Sequence, residues 1–201
     1  MYSSAKNFTD LVEAAKNNDL NVVQDLMWAC DPKQRNSLPF ITAAQYGSLE
    51  CLEALKTVSD HTANKSEALM KAANFGHLEC VKFLWRLAIP QLENRGFIAL
   101  CFAAGQGHNS VVSYILEQGV DPTLKFSIPL CRAALGGYTD TVELLYPVSR
   151  PDEALLLLRS QNGAQNPKWQ WFEDFVNARK QKTILNAEIC TGVTLSAPRK
   201  I

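Results

Sequence analysis

The chain is 201 residues long, 47% hydrophobic and 20% charged, with twenty basic and twenty acidic residues and a formal net charge of zero. That length is ample for one cooperative domain burying ~70% of its unfolded surface, and the hydrophobic content excludes a wholly disordered chain. A neutral total gives no global field to recruit nucleic acid or an anionic membrane. No run approaches the ~20 apolar residues of a spanning helix, and residues 1–6 lack the apolar core of a secretory signal.

In chain order, the first predicted element is a helix carrying Leu11 and the pair Ala14-Ala15, stopped near Asn18 and followed by a short helix with Val22-Val23 and Leu26. The arrangement returns as Phe40, Ala43-Ala44, Gly47, Cys51-Leu52 and Leu55, then as Leu69, Ala72-Ala73, Gly76, Cys80-Val81 and Leu84. It returns again as Leu100, Ala103-Ala104, Gly107, Val111-Val112 and Ile115, and finally as Leu130, Ala133-Ala134, Gly137 and Leu145. Successive alanine pairs are 29, 29, 31 and 30 residues apart. Self-similarity at this period marks stacked helix-turn-helix units. The alanines let neighbouring helices approach closely, and Gly or Asn leaves the right-handed helical region at little cost.

After residue 146 the pattern changes. Glu153-Ala154-Leu155 repeats Glu67-Ala68-Leu69, so residues 150–162 read as the first helix of a degenerate sixth unit, stopped at Asn162-Gly163. Asn166 as N-cap and Pro167 at the first helical position then open a helix over 167–182, with Trp169, Phe172 and Val176 on one face and Trp171 and Phe175 close by. Two roles suit this aromatic cluster: a cap that seals the open end of the stack, or a hydrophobic peptide dock. Residues 183–201 show weak periodicity, and the end, Ser196-Ala197-Pro198-Arg199-Lys200-Ile201, is expected to be a mobile tail with room for a short linear signal.

Three segments resemble the ankyrin repeat: Pro129-Leu130-Cys131-Arg132-Ala133-Ala134, Ala73-Asn74-Phe75-Gly76-His77-Leu78-Glu79-Cys80-Val81, and Gly119-Val120-Asp121-Pro122. The family pattern is Thr-Pro-Leu-His-x-Ala-Ala-x-x-Gly-His, then an apolar second helix and a Gly-Ala-Asp loop; the resemblance covers roughly residues 8–146. It implies an all-α solenoid, with a repeat array over 1–163 and a capping helix and tail over 164–201. The departures are local. Only Pro39 and Pro129 survive of the Thr-Pro-Leu-His signature, and its His position reads Val12, Ile41, Met70, Cys101 and Cys131. Apolar packing therefore replaces the usual hydrogen bonds there, and the shortened period predicts stubby fingers with little or no β-structure.

Six cysteines and three histidines are the candidates for chemistry. Cys51 and Cys80 occupy equivalent second-helix sites, and Cys101 and Cys131 equivalent first-helix sites, as small apolar core residues. No CxxC pair or Cys-His metal spacing is present, so neither a disulfide framework nor a metal centre is expected. His77 and His108 follow the turn glycine and are expected to cap the second helices. The sharper alternative pairs His77 with Cys80, three residues on, as a nucleophile, but no third group orients the imidazole. With no Gly-rich phosphate loop, HExxH or GxSxG, neither a cofactor nor an enzymatic reaction is expected.

The resemblance implies a non-catalytic scaffold that binds a partner protein on a concave face of first helices and finger tips. Carried over, the exposed positions are Lys16, Asn17, Gln45, Tyr46, Asn74, Phe75, Gln106 and Leu135, with the finger residues Gln34, Arg35, Asn94, Arg95 and Lys125. Lys71 and Arg132 share that face. Tyr46 and Phe75 are the expected anchors, because rigid aromatics dominate binding energy. Glu50, Glu53, Glu79, Asp140 and Glu143 place acid on the back. Arg35, Lys71, Arg95, Lys125 and Arg132 collect on the concave side, with Glu13 and Glu67 as exceptions, which favours a partner with acidic or phosphorylated segments. A reducing cytoplasm is the expected compartment. The alternatives are a targeting or regulatory module, such as a secreted effector of an intracellular microbe that binds a host protein, and an enzyme with a cryptic site near the cap.

Overall fold

Each predicted unit folds as a pair of helices, in a computed structural model that describes residues 4–59, 61–88, 93–162 and 167–191. The first helices are α1 (Ser4–Lys16), α3 (Gln34–Tyr46), α5 (His61–Asn74), α7 (Glu93–Gly105) and α9 (Leu124–Gly136). Their partners are α2 (Leu20–Leu26), α4 (Leu49–Leu55), α6 (Leu78–Ala88), α8 (Asn109–Glu117) and α10 (Thr139–Leu145). A 3-10 turn, Tyr146–Val148, leads to α11 (Pro151–Asn162) and α12 (Pro167–Thr191). Among the described residues there is no strand. Several second helices have only seven residues, too few to persist alone in water, so packing stabilises them.

That packing forms two layers. The first helices contact one another in succession from α1 to α11, and the second helices from α2 to α10 less extensively. All five alanine pairs are buried, with Ala14 the most accessible at 6%. Small side chains draw the first-helix layer together, the layer whose outer surface the resemblance makes the concave side. Between the layers lie Leu11, Phe40, Leu69, Leu100 and Leu130, each at most 1% exposed, and Leu52, Val81, Val112 and Val142, fully buried. Each such side chain contributes roughly 1.5–3 kcal/mol by leaving water. In the first unit Val22 is exposed and Leu26 only half-buried.

The turn inside each unit is the same. Gly47, Gly76, Gly107 and Gly137 have φ between 74° and 77°, and Asn18 substitutes at 56°. The next N–H reaches back five residues to the first alanine of the pair: Ser48 to Ala43, His77 to Ala72, His108 to Ala103 and Tyr138 to Ala133, at 2.9–3.0 Å. This closes each first helix with a 6→1 bond.

Two fingers share an unanticipated backbone. In 31–39 and 121–129, Asp31 accepts from the Lys33 N–H at 3.0 Å and Asp121 from the Thr123 N–H at 2.8 Å. Hydrogen bonds from Thr123 hold the Asp121 carboxyl below its usual range. Arg35 and Ser37, and Lys125, Phe126 and Ser127, then take left-handed φ values of 49–61°. Each costs about 1–2 kcal/mol. Buried Pro32, Ser37 and Pro39, and Pro122, Ser127 and Pro129, anchor the two turns, and Ser127 Oγ accepts from the Arg150 N–H at 3.0 Å. Pro39 and Pro129 therefore lie inside α3 and α9, where the right-handed helix begins and a missing N–H does no harm.

At the C-terminal end α11 packs on α9, and α12 lies against α9 and α11. Trp169, Phe172 and Val176 are fully buried in the continuous core. Tyr146 and Phe175 meet edge to face at 5.5 Å. Exposed ion pairs join Arg179 to Glu143 at 3.1 Å, Lys180 to Asp152 and Arg159 to Glu173, each worth roughly 0–1 kcal/mol. The helix runs past the expected end at 182 to Thr191, with residues 177–187 exposed. Gly163, Asn166 and the tail from Ser196 to Ile201 lie outside the described residues.

Candidate functional site

The residues flanking the alanine pairs, buried Thr42 excepted, point away from the core, and on the concave side two of these rows open into clefts. On α5, Glu67, Met70, Lys71 and Asn74 recur at i, i+3, i+4 and i+7 along one stripe; with Phe102 of α7 they enclose about 300 Å³. On α9 the equivalent stripe is Ile128, Cys131, Arg132 and Leu135. With Gly105, Gly136 and the α11 residues Leu157, Leu158 and Gln161 it encloses about 470 Å³. Two glycines border this larger hollow: Gly105 stands at the position of Gln45 and Asn74, and Gly136 at that of Tyr46 and Phe75. At Gly136 a Cβ would lie 2.4 Å from the Tyr138 ring, so a larger residue there would displace the ring.

One contact links the two clefts. The Arg132 guanidinium sits 5.4 Å from the centroid of the Phe102 ring, a cation–π contact of ~0.5–1 kcal/mol at an exposed site. It holds a charged, planar group on the wall between the two hollows. Lys71, Lys125, Arg132 and Arg35 make no ion pair among the described residues. On the second-helix side Glu79 pairs with Lys82 and Glu143 with Arg179, while the Asn18 side chain donates to Glu50 at 2.7 Å and holds its carboxyl low.

The structure brings together only part of the expected set. Lys71, Asn74, Arg132 and Leu135 line the clefts. Tyr46 and Phe75 are 48% and 47% exposed, but neither lines either of these two clefts: they stand at the ends of α3 and α5 beside the turn glycines, with Lys16 Nζ 5.6 Å from the Tyr46 ring. Gln45 is half-buried, Gln106 exposed and Arg95 half-buried on the first turn of α7; Arg35 and Lys125 are exposed on the two left-handed finger turns. Met70 and Phe102 went unanticipated. The signal for Phe102 was present: it precedes an alanine pair, as Lys71 and Arg132 do.

The histidine expectation needs correction. His108, at the N-cap position of α8, makes no side-chain bond to that helix. Instead its Nε2 lies 2.9 Å from the Asn74 carbonyl oxygen, and His77 Nε2 lies 2.9 Å from that of Gln45. A carbonyl only accepts, so Nε2 carries the proton in both rings. These histidines tie each unit to the one before it.

The thiols are likewise structural. Burial pushes Cys51, Cys80 and Cys101 up to about 11 and Cys131 up to about 12, the opposite of an activated nucleophile. Among the described residues no three His, Cys, Asp or Glu side chains gather as a metal would require, and no helix is long and apolar enough to cross a membrane.

A family model of three ankyrin repeats matches the chain in three overlapping registers, over residues 11–89, 40–126 and 69–154. The starts at 11, 40 and 69 step by 29 residues, as the first three alanine pairs do. No curated protein matches significantly. The chain belongs to the ankyrin-repeat family, whose members generally mediate protein–protein interaction and are generally non-catalytic.

Proposed function

We propose that this chain is a non-catalytic scaffold that binds one partner protein through the concave face of its first helices. The observation that carries this reading is the pair of clefts joined by Arg132 and Phe102, which combine an apolar floor with unpaired cations. Partly apolar hollows with a few placed polar groups are where binding energy concentrates. The array over 1–163 supplies this face, and residues 164–201 contribute the helix that covers its last unit. Tyr46, Phe75, Gln45, Gln106, Arg35, Arg95 and Lys125 form the rim, and Lys71, Asn74, Met70, Phe102 and Arg132 the centre. The four buried thiols suit a reducing compartment, the cytoplasm.

Capture from cytosolic extract tests the reading. The unmodified chain and a back-face variant, Glu53→Lys, are expected to retain the same protein, and the double variant Phe102→Ala with Lys71→Glu to lose it at unchanged melting temperature. Retention by the double variant together with loss by Glu53→Lys would assign binding to the second-helix side.

A further inference from the structure

We propose that the cleft between α9 and α11 receives a linear acidic segment of the partner, with one bulky apolar side chain in the hollow and a neighbouring carboxylate on the Arg132 guanidinium. The inference rests on the scaffold reading above and specifies what that face recognises.

The walls define the apolar half. Ile128, Cys131, Leu135, Leu157 and Leu158 surround about 470 Å³, room for one or two large side chains rather than for the surface of a folded domain. Gly105 and Gly136 border the hollow, with the Arg132 side chain beside the first and the Tyr138 ring beside the second.

The charges define the other half. No acid lines this cleft, whereas Glu67 shares the α5–α7 cleft with Lys71 and opposes an anion there. The two acids of α11 are already engaged, Glu153 with Arg150 and Asp152 with Lys180, and Glu173 of α12 pairs with Arg159. Among the described residues Arg132 meets the Phe102 ring and makes no ion pair, and Lys125 makes none either. Both lie on α9. A guanidinium already held against a ring loses little freedom on taking a carboxylate, and its fork suits one geometrically. The chain itself thus supplies the cation and the hollow, and the partner is left to supply the anion and the apolar side chain.

Selection of random twelve-residue peptides displayed on phage against the immobilised full chain tests this. The enriched peptides are expected to place Asp or Glu within two residues of Phe, Leu, Ile, Met or Trp. A synthetic peptide of that sequence should bind at least tenfold more weakly to Arg132→Glu and to Leu157→Ala, and replacing its acid by Lys should recover part of the loss on Arg132→Glu. The milder Arg132→Gln, melting like the parent, separates lost charge from lost fold.

Enriched peptides that are basic or uncharged, or that ignore Arg132→Glu, overturn the proposal, and so does enrichment of none. If extract capture still depends on Phe102 and Lys71, the scaffold reading survives that failure. Peptides displaced only by Glu53→Lys would remove both.

Discussion

His77 Nε2 donates to the carbonyl oxygen of Gln45 at 2.9 Å, thirty-two residues earlier in the chain. The ring lies so close over the preceding turn that a Cβ on Gly47 would stand 2.5 Å from His77 Nδ1. The same relation holds for His108 over Gly76, and the Tyr138 ring occupies the corresponding place over Gly107. The turn glycine therefore serves twice, permitting positive φ within one unit and admitting a ring from the next.

Gly47→Ala combines two costs, about 1–2 kcal/mol for a left-handed alanine and about 1–3 kcal/mol for overpacking against the ring. Gly137→Ala carries only the first, because nothing lies within 4 Å of a Cβ there. Denaturant melts should rank Gly47→Ala well below Gly137→Ala. Equal losses would show that the ring contributes nothing to the need for glycine.

The buried thiols set an alkaline limit on stability. Their folded values, about 11 to 12, exceed the ordinary value of 9.0. The unfolded chain thus releases protons above pH 9 that the folded chain retains. Stability is fully present below pH 9 and falls as pH rises from 9 towards 11, by up to ~1.4 kcal/mol per unit for each thiol. Melts between pH 7 and 10.5 should show the decline, with a shallower slope in Cys80→Ala. At pH 8 a thiol reagent should leave Cys51, Cys80, Cys101 and Cys131 unmodified long after half-buried Cys30 has reacted; rapid stoichiometric labelling of Cys80 would contradict its burial.

The two candidate sets of anchors can be separated. Phe102→Ala should weaken the partner by ~2 kcal/mol or more, about thirtyfold, because the ring both walls the α5–α7 cleft and orients Arg132. Tyr46→Ala with Phe75→Ala, both at the rim, should cost less than tenfold. Titration calorimetry against the captured partner measures both, and the reverse order would place the centre of the interface at the turns.

α12 is tested by removal. Trp169 is fully buried, and its Nε1 has no hydrogen-bond acceptor among the described residues. Trp169→Ala should cost roughly 3–5 kcal/mol, whereas Trp169→Phe should cost far less, since it also removes an unsatisfied N–H. Deleting residues 164–201 should cause aggregation or early melting without any partner. A truncated chain that melts normally but no longer binds would make α12 a recognition element instead.

Much of the fold could be read without coordinates, because in a stack each unit meets only its neighbours and the same contacts recur at one period. The alanine pairs, the turn glycines and the buried Leu11, Phe40, Leu69, Leu100 and Leu130 follow from that recurrence alone, and the apolar face of Trp169, Phe172 and Val176 from helical spacing after Pro167. The site is different. Phe102 reads as one more apolar residue before an alanine pair, and only the apposition of α5, α7 and α9 puts its ring between two clefts and under Arg132. The direction of His77 is set by the spacing between units rather than by its own helix. The left-handed run Lys125, Phe126, Ser127 contains no glycine to announce it; buried Pro122, Ser127 and Pro129 hold it from either side. Periodicity along the chain thus determined which residues are inside, while the meeting of side chains from different units, which no local pattern encodes, decided which exposed residues converge.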